Sequence, residues 1–79
     1  SVSGRVTNGK RGVARARVYM TGQNGETQTT ITNSFGYFRF SDGQAGETYI
    51  ISVFSKSYTF TPQVITLSEN LDNLDFSPM

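Results

Sequence analysis

Two short stretches of the chain combine arginine with tyrosine at alternate positions, a pattern that suits ligand binding. Arg15, Arg17 and Tyr19 occur in one stretch, and Tyr37 and Arg39 occur in another. Residues two apart on a β-strand share a face, so each set would project from one side of its strand. Flat aromatic rings beside planar guanidinium groups suit stacking on a sugar ring or contact with an extended peptide. The five residues are therefore a candidate ligand face; a solvated outer surface is the alternative, because strands and surfaces favour these residues.

A second candidate is a stretch near the end of the chain whose side chains are rich in oxygen, the element that calcium prefers as a ligand. Its members are Glu69, Asn70, Asp72, Asn73 and Asp75. The stretch lacks the spacing of a calcium-binding loop, and Asn and Asp are ordinary turn residues because their side chains cap nearby backbone. We expect a polar turn over 69–72 and assign no metal site.

The composition provides few residues that could act in catalysis. The chain contains no His and no Cys, which excludes Ser-His and Cys-His catalysis, haem ligation by these residues, disulfides and zinc fingers. Ser55, Lys56 and Ser57 could form a serine–lysine pair only if the lysine were desolvated, and we expect it to lie exposed in a loop. The sequence therefore predicts no catalytic residue, no cofactor and no enzyme activity.

Size and charge restrict the partners further. Seventy-nine residues correspond to one small domain spanning 1–79, because two domains of half that size would lack a sufficient core. Seven Lys and Arg against six Asp and Glu give a net charge of +1, too little positive potential for a nucleic-acid partner. No apolar run approaches the roughly 20 residues of a membrane span, so no membrane insertion is expected. The chain does not begin with Met, and we expect a module taken from a larger protein.

The elements that must position these residues are strands. Apolar residues alternate with polar ones, and Gly or Asn interrupts the alternation about every ten residues, which is typical of an all-β sandwich or barrel. We predict about seven strands, with a Thr-rich edge strand over 26–32 and a central strand over 48–54. The other strands are predicted over 2–7, 13–20, 37–40, 63–67 and 74–76, with a short edge piece at 58–60.

The same alternation predicts the core. The residues expected to be most buried are the large apolar ones that share the inward parity of their strands. They are Val6, Val18, Ile31, Phe38, Phe40, Tyr49, Ile51, Val53, Leu74 and Phe76.

The order of these signals resembles the carboxypeptidase regulatory-like domain. Three of its motifs, V-x-G-x-V followed by G-V-x-x-A-x-V, T-x-x-x-G-x-F-x-F, and G-x-x-Y-x-I-x-V, occur here in sequence across essentially the whole chain. The matching residues are Val2, Gly4, Val6, Gly12, Val13, Ala16, Val18, Thr32, Gly36, Phe38, Phe40, Gly46, Tyr49, Ile51 and Val53, followed by Tyr58 and a final strand at 74–76.

The resemblance implies a small Greek-key, prealbumin-like β-sandwich without catalytic activity. Such domains occur in larger secreted or cell-surface bacterial proteins as stalks, spacers or interdomain supports, so the implied partners are neighbouring domains of the parent chain. Several relatives in the wider superfamily bind starch-like glycans, which keeps open the alternative of a glycan- or peptide-binding module. The binding hypothesis is favoured if Tyr19 and Tyr37 share one exposed sheet, and it is disfavoured if they lie on opposite sheets.

A neighbouring group, the B-type repeats of Gram-positive adhesins, carries a Lys–Asn isopeptide bond. Here Arg5 occupies the first-strand position where that chemistry needs a lysine, and a guanidinium stays protonated and does not act as a nucleophile. Lys10 and Lys56 are expected in loops, and Val53 stands where the catalytic Glu would be. We therefore expect no isopeptide bond.

Overall fold

The computed structural model describes residues 2–41, 46–67 and 71–78, and this part of the chain contains seven β-strands and no helix. The strands are β1 (Val2–Val6), β2 (Arg17–Thr21), β3 (Thr27–Ile31), β4 (Tyr37–Phe40), β5 (Thr48–Phe54), β6 (Gln63–Thr66) and β7 (Leu71–Phe76). They confirm the prediction of an all-β domain of about seven strands.

The strands form two sheets of a small β-sandwich. One sheet has three strands in the order β4-β1-β7, and the other has four in the order β3-β2-β5-β6. The Thr-rich β3 lies at an edge and β5 lies between two neighbours, as the sequence predicts. All pairings are antiparallel except that of β1 with β7, which run parallel as neighbours although they are the first and last strands. The last strand begins at Leu71, three residues earlier than predicted.

The core lies between the sheets and follows the alternation closely. Eight of the ten predicted core residues are buried: Val6, Val18, Phe38, Phe40, Tyr49, Ile51, Leu74 and Phe76. The buried set also includes Val2, Val13, Ala16, Met20, Phe60 and Leu67. Phe38 contacts the rings of Phe40 and Phe76, with ring centroids 6.2 and 6.1 Å apart.

Two core predictions need correction. Ile31 is 58% exposed, because it pairs with Arg17 on the outward face of its sheet. A single aliphatic residue in a Thr-rich strand does not show which parity faces inward. Val53 is only partly buried and packs against the margin of the core.

Gly4 marks a place where two backbones lie unusually close. A Cβ atom at this position would lie 1.6 Å from the carbonyl oxygen of Leu74, far inside any van der Waals contact. The register between β1 and β7 shifts between Val2 and Gly4, so the close approach accompanies a bulge. The extra residue is in β7, because the two steps from Val2 to Gly4 lie beside the three steps from Leu71 to Leu74. A glycine inside a strand commonly marks such a close approach.

A tight turn precedes β2 and replaces part of a predicted strand. Arg15 has a φ of 59°, a left-handed conformation that non-glycine residues rarely adopt. The turn ends the alternation predicted over 13–20, so that Ala14 and Arg15 are exposed while Val13 and Ala16 are buried. Arg15 therefore does not belong to the strand that carries Arg17.

The buried side chain of Thr32 holds this turn. Its hydroxyl donates to the carbonyl of Val13 at 2.6 Å and accepts the N–H of Ala16 at 2.9 Å. The backbone adds two bonds: the N–H of Arg15 donates to the Thr32 carbonyl, and the N–H of Thr32 donates to the Ala16 carbonyl. Four hydrogen bonds thus fix the backbone of the turn and satisfy the only buried polar residue among the described ones.

Truncating a core ring should be costly. Phe38→Ala removes a ring that is 4% exposed, and we expect the free energy of unfolding to fall by about 3–5 kcal/mol. Phe35→Ala is the matched control, because Phe35 is 67% exposed and its loss should change stability by less than about 0.5 kcal/mol. Urea denaturation followed by circular dichroism measures both; a similar small loss for the two variants would contradict the assigned core.

The close approach at Gly4 predicts an unusually large effect of one methyl group. Gly4→Ala should destabilise the domain by about 3 kcal/mol or more, because the overlap is with backbone and no rotamer relieves it. Gly22→Ala is the control: its Cβ would meet the Tyr49 ring at 3.4 Å, and stability should change by less than about 1 kcal/mol. Thermal melts of both variants give the comparison, and equal melting temperatures would refute the β1–β7 geometry.

The turn at Arg15 predicts a substitution that stabilises the domain. Arg15→Gly relieves a left-handed conformation that costs a non-glycine residue about 1–2 kcal/mol, offset by the greater freedom of glycine in the unfolded chain. We expect a net gain of up to about 1 kcal/mol for Arg15→Gly, and a loss of about 1 kcal/mol for Arg17→Gly at the start of the interior strand β2. Chemical denaturation should separate the two variants; equal losses would show that Arg15 is not strained.

Candidate functional site

The outer face of the four-stranded sheet carries one half of the predicted ligand face. Burial alternates along β2, so that Val18 and Met20 point into the core while Arg17 and Tyr19 lie on the outer side. In the paired register Arg17 lies between Ile31 of β3 and Phe54 of β5. All three side chains of this row are exposed.

The other half lies on the other sheet. Tyr37 and Arg39 are exposed on β4, whose Phe38 and Phe40 are buried, and β4 belongs to the three-stranded sheet. The outer faces of the two sheets of a sandwich point in opposite directions. The structure therefore does not bring together on one face the five residues Arg15, Arg17, Tyr19, Tyr37 and Arg39. Because Tyr19 and Tyr37 lie on different sheets, the structure disfavours the alternative of one shared glycan or peptide surface.

Tyr37 is also engaged within the domain. The guanidinium carbon of Arg5 lies 5.1 Å from the centroid of its ring, a cation–π arrangement. The Nε of Arg5 donates to the carbonyl of Phe35 at 2.9 Å, which fixes the guanidinium beside the ring. A ligand that stacked on this side of Tyr37 would have to displace Arg5. Arg5 occupies the first-strand position where an isopeptide bond would need a lysine. Its side chain makes these non-covalent contacts instead.

The structure assembles a different group of residues at one end of the four-stranded sheet. Arg15, from the turn, and Arg17, from β2, line a depression of about 320 Å³ together with Phe54, Ser55 and Lys56. Sequence reasoning missed Phe54 and Lys56 as site residues, because their proximity depends on the pairing of β2 with β5. The available signal was the parity of β5, which places Phe54 outward beside Arg17.

The opposite end of the same outer face is apolar. A smaller depression of about 170 Å³ lies there, and Ile50 and Val64 are its apolar side chains. Thr21 pairs with Thr27 and Thr48 with Thr66 through their hydroxyl groups, at 3.2 and 3.1 Å. These hydroxyl pairs satisfy each other, so this end offers mainly an apolar surface.

The remaining sequence candidates are placed as follows. Lys56 is exposed, as expected, and the Ser55 hydroxyl accepts the N–H of Ser57 at 3.3 Å. Asp72, Asn73 and Asp75 lie exposed on β7, while Glu69 and Asn70 fall outside the described residues. Within the described ranges no group of three or more acidic, His or Cys side chains could hold a metal ion. No helix in those ranges is long and apolar enough to cross a membrane.

Comparison with known proteins agrees with this architecture. A family model described as the carboxypeptidase regulatory-like domain matches residues 1–77. No curated protein and no solved structure matches the chain significantly. The family is a generic, non-catalytic domain found in larger proteins. Because the match covers nearly the whole sequence, the chain belongs to the carboxypeptidase regulatory-like domain family.

Proposed function

We propose that this domain is a non-catalytic structural module of a larger secreted or cell-surface bacterial protein, where it acts as a stalk, spacer or interdomain support. The observation that carries the proposal is the parallel pairing of the first and last strands. Val2 pairs with Leu71 at one end of the ladder, and Val6 pairs with Phe76 at the other. The start of β1 and the end of β7 therefore lie at opposite ends of the three-stranded sheet, about 13 Å apart along the strands.

This arrangement suits the transmission of force along the domain. Tension applied to the two ends of the chain would slide β1 and β7 past each other in opposite directions. From Gly4 to Val6 the ladder between β1 and β7 is in continuous register. The hydrogen bonds of a parallel ladder are evenly spaced along the strands, so those of this part would share such a load rather than break one after another. The bulge near Gly4 adds a close backbone contact within the same interface.

The partners in this proposal are the neighbouring domains of the parent chain. The secreted or cell-surface location is likewise part of the proposal and comes only from what the sequence resemblance implies. A single glycan or peptide face built from both Tyr-Arg stretches receives no support, because the two stretches occupy different sheets.

Single-molecule force spectroscopy tests the load-bearing role. The domain is placed between marker domains and pulled from its two ends, which shears β1 against β7. In a second geometry it is pulled from its N-terminal end and from Ser41→Cys, which follows Phe40; because Phe40 pairs with Val2, this pull unzips β1 from β4. The chain has no cysteine of its own, so the introduced thiol is a unique attachment point.

We expect end-to-end pulling to require at least about twice the unfolding force of the unzipping geometry at the same loading rate, since forced unfolding reports the barrier along the pulled direction. An end-to-end force equal to or below the unzipping force would overturn the proposal of an axial support. Ser41 is exposed, so the substitution itself should leave the equilibrium stability unchanged, which urea denaturation checks.

A further inference from the structure

Two depressions adjoin at the end of the four-stranded sheet and form one cleft. The first, of about 320 Å³, is lined by Arg15, Arg17, Phe54, Ser55 and Lys56. The second, of about 280 Å³, shares Arg15, Ser55 and Lys56 with it and extends to Tyr58. Their sizes fall near the lower limit of ligand-binding clefts, about 300 Å³. We refer to the two together as the basic cleft.

The charge of the basic cleft is uniformly positive. Three of the seven Lys and Arg residues of the chain line it, although the net charge of the whole chain is only +1. No carboxylate lines either depression. Like charges held close together repel each other, and a bound anion removes that repulsion. The cleft is therefore suited to a negatively charged group.

The backbone fixes the positions from which the two arginine side chains of this cleft extend. Arg17 is fixed by its position in β2 opposite Phe54. Arg15 is fixed by the turn that the buried Thr32 hydroxyl holds through Val13 and Ala16. An arginine at a left-handed position where glycine would be easier is an observed strain, and such strain is concentrated at functional sites.

An exposed aromatic ring lies among the cations. Phe54 is 59% exposed, although it is a large apolar side chain next to polar and charged neighbours. A flat apolar ring is a surface on which the C–H face of a sugar ring can stack, and guanidinium groups bind carboxylate or sulfate with two parallel hydrogen bonds. We propose that the basic cleft binds an acidic glycan, a chain of sugar rings bearing carboxylate or sulfate groups.

Three oligomers separate the two parts of this proposal in NMR titrations of the labelled domain. Hexagalacturonate carries both sugar rings and carboxylates, and maltohexaose carries rings without charge. Hexaglutamate with an acetylated N-terminus and an amidated C-terminus carries the same number of carboxylates without rings. We expect hexagalacturonate to bind with a Kd of about 1 mM or lower and to shift the amide signals around Phe54 and Lys56. Maltohexaose and hexaglutamate should each bind at least about fivefold more weakly. A sulfated dextran hexamer tests whether sulfate replaces carboxylate.

Variants with matched controls locate the site. Arg17→Gln should weaken hexagalacturonate binding about three- to fivefold, whereas Arg39→Gln, the same change of charge on the other sheet, should alter it less than twofold. Phe54→Thr should weaken it about fivefold, and Phe35→Thr, which removes a similarly exposed ring elsewhere, should have little effect. Raising NaCl from about 50 to about 300 mM should lower the affinity at least threefold.

Several outcomes would overturn the proposal. Absence of saturable binding by both acidic sugars is one. Equal affinity for hexaglutamate would show that the sugar ring and Phe54 contribute nothing, and the site would then be a general anion or acidic-peptide site. Equal affinity for maltohexaose would remove the role of charge, and equal effects of Arg17→Gln and Arg39→Gln would place binding outside the basic cleft. None of these results depends on the load-bearing role of β1 and β7.

Discussion

The close approach of β1 to β7 at Gly4 is the constraint on which the domain's organisation depends. Only hydrogen fits between the Gly4 α-carbon and the Leu74 carbonyl, so the last strand can lie beside the first in this register only with glycine at that position. The pairing places β1 at the centre of its sheet, between β4 and β7. It also sets the start of β1 and the end of β7 apart along the strand axis, which is the observation behind the proposed structural role.

The same physical reason accounts for two more glycines of the family motifs. A Cβ at Gly12 would lie 1.7 Å from the carbonyl oxygen of Phe35, and one at Gly36 would lie 2.3 Å from that of Val6. The N–H of Val6 donates to the Gly36 carbonyl, and the N–H of Val13 donates to the Val6 carbonyl. Thr32 is a motif residue for a different reason, because its buried hydroxyl holds the turn before β2. These motif residues are thus explained by close backbone contacts and by one buried hydroxyl group.

Alternation along the sequence was enough to predict the strands and most of the core, because a strand with one buried face repeats every two residues. It failed at Ile31, where one aliphatic residue could not show which parity faces inward, and at Arg15, where a turn interrupts the repeat. Alternation does not predict the order of strands in a sheet, and here β1 pairs with β4 and β7 rather than with β2, which follows it in the sequence. For that reason the five Tyr and Arg residues could be assigned to outer faces but not to a single one, and the contribution of Phe54 and Lys56 could not be anticipated.

The outer face of the four-stranded sheet affects how readily molecules of this domain associate in solution. It exposes Ile31, Ile50, Phe54 and Val64, and Arg17 is the one charged residue on the outward positions of its four strands. Near neutral pH the net charge of +1 provides little repulsion between molecules, so these apolar side chains favour association when the domain is concentrated. Crowding such domains together would therefore favour contacts between the outer faces of their four-stranded sheets.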